Sequence, residues 1–580
     1  MQPSDQAVNT GAMPARASQL ERLGRETFDL AIIGGGINGA AIARDAAMRG
    51  LSVALIDRGD FAGATSSRSS KLIHGGLRYL PQGQFRLVYQ ALRERELLRR
   101  LTAPHLARPI RFLFPFYGGR RPGRFAVSAG LMLYDFIART PAEERHRRVG
   151  IDDALDLEPS LRAEGLTGAA LYFDGWGDDA RLTLENVIDA AIHGAAVANY
   201  LAVESFARAG GRIAGAAVRD CRSDTTFDLR ARQFVNAAGP WADDIRRLDD
   251  VDAPPRVRLT KGVHLVVAAA RLPLRNALVL TDDAGRIVFA MPHRGWQLIG
   301  TTDTDYAGDP AAVRAGDDDL DYLLGVVNAA IPGAGLGRAD VAHSFAGLRA
   351  LAAGDGRRPS AVPREEVIVE SPSGLITVAG GKLTTHREIA ARIVARLATL
   401  LGRPAGKSPT LTIPLPGARA LAGGADANSR DGLSAETRAI LDERYGTRAA
   451  MVGAIARRRP ELAAPIAPGA RAIWAEVVHA ARAEMALTTA DFLIRRVAMT
   501  WRNPRAARAA APEVARMLAV ELGWSERQCA ADLADFFAAA DLRVDAPAGV
   551  SDEISPRAEA LPSTPPSTRH MSTRGSGDGG

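Results

Sequence analysis

Residues Leu30 to Gly39 read LAIIGGGING, an apolar run that feeds directly into Gly34-x-Gly36-x-x-Gly39. In this pattern Gly34 allows a tight turn, Gly36 lets backbone approach a pyrophosphate, and Gly39 lets the next helix pack closely on the strand. Gly35 and Asn38 complete the turn. The helix that follows offers unpaired N–H groups and the positive end of its dipole to phosphate. Asp57 ends the next apolar run, Ser52 to Ile56, about 20 residues on, where a carboxylate would accept a ribose hydroxyl. The expected chemistry is dinucleotide binding. A glycine-rich strand-to-helix turn without a ligand is the plainer alternative.

Other residues could do chemistry beside it. Ser66, Ser67, Ser69, Ser70 and Lys71 make a polar turn with the composition of a phosphate-binding loop. Arg78, in HGGLRY, and Lys382, in GGKLTT, sit in glycine-flanked loops, where bulk and charge are costly and a plain surface role is disfavoured. His264 alternates with apolar residues in KGVHLVV, and on sequence alone it is more often a satisfied sheet histidine than a catalyst. Arg364 follows a proline in a polar loop and reads nearly as well as a solvated arginine. No metal-ligand spacing occurs, and the two cysteines, Cys221 and Cys529, suggest neither a disulfide framework nor a metal cluster.

The elements that must position these groups are α/β in class. Three strand–glycine junctions recur far apart: the first unit, Phe28 to Asp57; QFVNAAGPW at Gln233 to Trp241, with Gly239; and LITVAGGKLTT at Leu375 to Thr385. They predict one discontinuous Rossmann-like nucleotide domain (about 28–85, 180–245 and 340–402). Segments with period-two alternation, Gly262 to Val267, Arg286 to Met291 and Trp296 to Gly300, predict a mainly antiparallel β substrate domain interleaved with it (about 86–179 and 246–339). Ala/Leu/Arg-rich stretches after Pro414 and Pro416 predict an all-helical C-terminal domain over 412–545, with helices at Glu436 to Tyr445, Ala472 to Met485 and Ala511 to Leu522. Residues 1–26 are expected to be a disordered leader and 546–580 a disordered tail.

The 580 residues carry 73 basic and 66 acidic side chains, a net charge of +7. The arginines concentrate between Arg78 and Arg148, a run that is usually a solvated face. An anionic membrane surface or anionic substrate is the second reading, and nucleic acid a poor third, since no nucleic-acid module accompanies the run. Phe125 to Ile137 is too short and too polar to span a bilayer; it reads as a core helix before a membrane-surface helix.

The string ATSSRSSKLIHGGLRYL at Ala64 to Leu80, with Lys261 to Val267, Ile299 to Asp303 and Gly380 to Thr385, resembles the FAD-dependent glycerol-3-phosphate dehydrogenases of the glycine/D-amino-acid oxidase superfamily, over about Phe28 to Ala540. The resemblance implies non-covalent FAD, oxidation of sn-glycerol 3-phosphate to dihydroxyacetone phosphate, and electron delivery to a membrane quinone. It implies cofactor contacts from Gly34, Gly35, Gly36, Asn38, Gly39, Asp57, Thr65, Ser66, Ser67, Ser70, Lys71, Leu72, Gly239, Gly380, Gly381, Lys382, Leu383 and Thr384. It implies a substrate pocket of Arg78, Tyr79, His264, Arg349, Arg364 and Lys382, with His264, Arg349 and Lys382 catalytic and His264 the first candidate for the base. It also implies a cytoplasmic enzyme peripheral on the inner face of the cell membrane, in contact with anionic lipid; a homodimer is compatible with it. Two departures stand out: Ala350 replaces the family's usual proline, and 352–364 is unusually basic. An oxygen-using oxidase, a dehydrogenase of another polyol phosphate or 2-hydroxy acid, and a flavin-binding scaffold without turnover are the alternatives.

Overall fold

The computed structural model describes residues 11–118, 124–141, 144–353, 366–419 and 432–542. The strand Thr27–Ile33 is buried along nearly its whole length, so its apolar residues serve both faces of a sheet. Leu30 and Ile32 pack under helices Ile37–Met48, Asp179–Ile192 and His386–Leu400, while Ala31 and Ile33 face Ile56, Leu201 and Phe234. That two-sided burial is what a parallel sheet demands. The three strand–glycine junctions do meet: Thr27–Ile33 pairs in parallel with Val53–Ile56 on one side and Thr226–Asn236 on the other, and the latter pairs in parallel with Ile376–Gly380. Ala196–Ala198 extends the sheet in parallel, and Glu366–Glu370 closes the other edge antiparallel.

The second sheet is ten-stranded and mainly antiparallel. Its long pairs are Ala107–Tyr117 with Leu166–Gly177, and Val257–Ala268 with Val341–Ala352. A single parallel step, Ala277–Thr281 beside Ala107–Tyr117, joins the two halves. Val341–Ala352 falls in a segment expected for the nucleotide domain, yet its partner is the His264 strand, with Arg349 opposite Thr260 and Phe345 opposite His264.

The C-terminal region is helical, with Ala435–Tyr445, Ala449–Arg458, Trp474–Ala483, Pro504–Leu522 and Glu526–Ala540. The longest begins where Asn503 accepts a hydrogen bond from the Ala506 N–H, has Pro504 at its first position, and stops at left-handed Gly523. Buried ion pairs bind this region to the nucleotide domain. Asp60 receives Arg495 at 2.5 Å and Arg496 at 2.7 Å, and Arg181 meets Glu484 at 2.7 Å.

Two expectations are corrected. The leader is not disordered throughout: Arg16–Arg25 is a helix that buries Leu23 under the sheet, and Arg16 pairs with Asp220 at 2.9 Å. The arginine run is not one solvated face either. Arg95 is buried against Asp174 and Tyr134, and Arg99 pairs with Glu144. The expected tail over 546–580 lies outside the described residues.

Candidate active site

The turn after Thr27–Ile33 is shaped for close approach. Gly34 has φ +111°, and a Cβ there would lie 2.5 Å from the Ala237 carbonyl. A Cβ on Gly39 would lie 1.8 Å from the Gly34 oxygen, so the helix Ile37–Met48 sits against the strand only because position 39 is bare. Asp57 accepts from the Gly35 N–H at 2.6 Å and from the Gly59 N–H at 2.8 Å. Burial outweighs these two bonds and raises its pKa to about 6. Ser66 Oγ accepts from the Ile37 N–H at 2.9 Å, and Asn38 donates to the Gly380 carbonyl at 2.9 Å, which ties the first junction to the third.

These groups open onto one cavity of about 1300 Å³, larger than the 300–1,000 Å³ typical of small-ligand sites. Gly34, Gly36, Asn38, Asp57, Thr65, Ser66, Ser70, Leu72, Tyr79, Gly239, His264, Arg349, Gly380, Gly381, Lys382, Leu383 and Thr384 all line it. So does an apolar wall that includes Phe112, Phe114, Leu133, Tyr172 and Phe289.

Four expected cofactor residues are placed elsewhere. Gly35 faces Phe61, Gly39 packs inside the turn, and Ser67 Oγ bonds the Ala64 carbonyl. Lys71 is buried at φ +60°, donating to Asp179 at 2.6 Å and to the Ser67 carbonyl at 2.5 Å. Its ammonium is held by a carboxylate and does not line the cavity. The Arg78 backbone belongs to the short helix Leu77–Gln82, but its side chain, like all of Arg364, lies outside the described structure.

Three expected catalytic residues line the same cavity. His264 is buried on Val257–Ala268, stacked on Phe345 with ring centroids 4.9 Å apart, and its Nε2 lies 2.8 Å from Ser70 Oγ. Burial, then Arg349 and Lys71, hold its pKa well below the ordinary histidine value, so the imidazole is neutral at pH 7. Arg349 lies over Gly262, where a Cβ would come within 2.3 Å of Nη2; it donates to Thr301 Oγ1 at 3.0 Å and pairs with Asp303 at 3.3 Å. Lys382 follows left-handed Gly380 and Gly381 and sets its ammonium 4.0 Å from the Tyr79 ring centroid. Thr384 bridges its loop to His74 through the His74 N–H at 3.2 Å.

The cavity also has walls that motif reading did not single out. Arg58 stacks on Trp241 at 5.1 Å, and Tyr200 and Arg495 line the same space. Arg58 had a local signal, its place directly after Asp57. Arg495 had none, because it arrives from the C-terminal helices.

The chain matches the model of the FAD dependent oxidoreductase family over residues 29–397 and that of the C-terminal domain of alpha-glycerophosphate oxidase over 408–529. It is 38% identical over 538 residues to glycerol-3-phosphate dehydrogenase 2 of Mycobacterium tuberculosis (strain ATCC 25618 / H37Rv), covering 91% of each chain. The chain belongs to the FAD-dependent glycerol-3-phosphate dehydrogenase family. It is also 34% identical over 528 residues to the aerobic glycerol-3-phosphate dehydrogenase of Staphylococcus haemolyticus (strain JCSC1435), covering 88% of this chain and 93% of the relative. The solved glycerol-3-phosphate dehydrogenase from Bacillus halodurans, complexed with FAD, superposes with a TM-score of 0.76 at 33% identity, covering 91% of this chain and 97% of that one. The cofactor of this family member is FAD, and the residues fit it: a bare glycine turn, the half-buried Asp57 carboxylate and a cationic loop share one cavity.

Proposed function

We propose that this enzyme oxidises sn-glycerol 3-phosphate to dihydroxyacetone phosphate and passes the electrons to a membrane quinone. The observation that carries the reading is the convergence of Arg349, Lys382 and His264 on the cavity that holds the dinucleotide cradle. FAD supplies the two-electron acceptor. A phosphate dianion calls for several cationic donors; Arg349 and Lys382 offer two, and Arg78 and Arg364 are assigned to the same task from the resemblance. A neutral His264 is suited to take the hydroxyl proton, and Arg349 to stabilise charge as it develops on that oxygen. The test is anaerobic titration of the yellow protein: glycerol 3-phosphate should bleach the flavin band and a quinone restore it. A flavin that stays oxidised would refute the assignment of substrate. Peroxide formed in air at the rate of turnover would replace the quinone with oxygen.

Contact with anionic membrane is part of the same proposal. Among the described residues no helix is long and apolar enough to cross a bilayer. The helix Arg124–Ala138 buries Val127, Leu131 and Tyr134 but exposes Met132 and Phe136, the latter by 82%. Its packing partner, Phe85–Leu97, exposes Phe85 and Tyr89, and the pair carries exposed Arg86, Arg93 and, just past its end, Arg139. Exposed aromatic and basic side chains on two packed helices suit shallow insertion among anionic headgroups. Co-sedimentation with anionic vesicles should fall on Met132→Asp/Phe136→Asp substitution and weaken in high salt; binding indifferent to both would exclude this surface.

A further inference from the structure

The neutral imidazole of His264 can take up a proton only on a nitrogen, and its two nitrogens are unequal. Nδ1 is enclosed by protein and meets no hydrogen-bond partner among the described residues. Nε2 is engaged by Ser70 Oγ at 2.8 Å. Ser70 itself lines the cavity. His264 also lines the cavity, and with Ser70 Oγ seated on its only engaged nitrogen, a proton from the cavity has a route to the ring through the serine oxygen.

The residues flanking Ser70 are fixed to a single buried carboxylate. Ser69 donates to Asp179 Oδ2 from its backbone N–H at 3.1 Å and from its hydroxyl at 2.6 Å, and Lys71 reaches Asp179 Oδ1 at 2.6 Å. The same loop is tied to the strand Val341–Ala352, Thr65 Oγ1 donating to the Leu348 carbonyl at 2.6 Å and Arg68 to the Ala346 carbonyl at 3.2 Å. That strand also carries Arg349 and the Phe345 ring on which His264 stacks. Serine, imidazole and guanidinium are held by one rigid frame, the arrangement that preorganised proton transfer requires.

We infer that Ser70 relays the substrate's hydroxyl proton to His264 and is the side chain in contact with the reacting oxygen. The relay rests on the proposed oxidation. In the step, with His264 in the tautomer that carries its proton on Nδ1, the substrate hydroxyl gives its proton to Ser70 Oγ as the Ser70 hydroxyl gives its own to Nε2. The C–H bond at the same carbon breaks, its electron pair leaves with the hydrogen for FAD, and C–O becomes C=O. The substrate loses two electrons, the cofactor gains them, and one proton remains on the imidazole. The charges facing that ring are the cations Lys71 and Arg349, paired with Asp179 and Asp303. They disfavour the imidazolium and favour its prompt discharge.

Anaerobic stopped-flow reduction by glycerol 3-phosphate tests the relay, with rates taken on the FAD-loaded fraction read from flavin absorbance. For the wild type the rate should be flat through neutrality and fall only at acid pH, as Nε2 protonates. Ser70→Ala should slow reduction about 100-fold at pH 7 and make the rate climb with pH, as hydroxide replaces the relay. His264→Ala should cost as much, and the double variant no more than the slower single. A second measurement needs no variant: two protons in flight give a curved proton inventory in mixed H₂O and D₂O. Ser70→Ala reduced at the wild-type rate, multiplying single effects, or a linear inventory would overturn the relay. A wild type that glycerol 3-phosphate does not bleach would instead overturn the proposed substrate.

Discussion

Asp57 accepts from two backbone N–H groups that favour its charged form, yet desolvation of the half-buried carboxylate outweighs them and raises its pKa to about 6. A ribose hydroxyl donating to that carboxylate would favour its charged form, so cofactor binding and deprotonation are linked. FAD affinity should then be constant above about pH 6.5 and fall by up to about tenfold per unit below pH 6. Fluorescence titration of apoprotein between pH 5 and 7.5 measures this, and a flat profile would remove Asp57 from the ribose contact. Asp57 was legible in the sequence because it ends a strand at a fixed distance from the glycines. Lys71 was not. It follows two serines, and the carboxylate that claims it is Asp179, 108 residues away. Pairing over such a separation leaves no local trace.

At the scale of elements, the Val257–Ala268 and Val341–Ala352 pair builds the substrate side of the site. Gly262 sits opposite Gly347 in this ladder, and the Arg349 guanidinium occupies the space a Cβ on Gly262 would need. Gly262→Ala should therefore push the tip of a flexible side chain aside and leave the fold intact. The expected outcome is a drop in kcat/KM of one to two decades with FAD content unchanged, matching Arg349→Ala, since each forfeits a charge-assisted contact worth about 1.5–3 kcal/mol. Wild-type kinetics in Gly262→Ala would detach Arg349 from substrate binding. The alternating pattern around His264 made its strand readable, and the glycine junctions made the parallel strands readable. The partner of the His264 strand was misplaced because Val341–Ala352 lies close in sequence to the GGKLTT junction, whereas sheet membership is decided by register with a strand some 80 residues earlier.

Across the whole molecule, the C-terminal helices are part of the cofactor site through Asp60. This carboxylate is buried, yet Arg496 and Arg495 hold it below the usual carboxylate range against the desolvation that would raise it. Asp60→Asn would leave two guanidinium groups buried without their shared counter-charge, a loss of about 3–5 kcal/mol. It should lower Tm, expose the junction before the helical region to protease, and loosen FAD, because Arg495 and the 57–63 loop line the cavity. Bridges this deep are poorly screened, so raising salt should not mimic the variant. The order of strands in the parallel sheet has one further consequence, for the birth of the chain. Thr27–Ile33 leaves the ribosome early, but its neighbour Thr226–Asn236 and the next strand, Ile376–Gly380, follow some 200 and 350 residues later. At about 5–20 residues per second, the first glycine turn waits on the order of 20–70 s for the sheet that shapes it. Nascent chains arrested before residue 376 should therefore capture no flavin, and tight capture should wait until Arg495 and Arg496 have emerged to pair with Asp60.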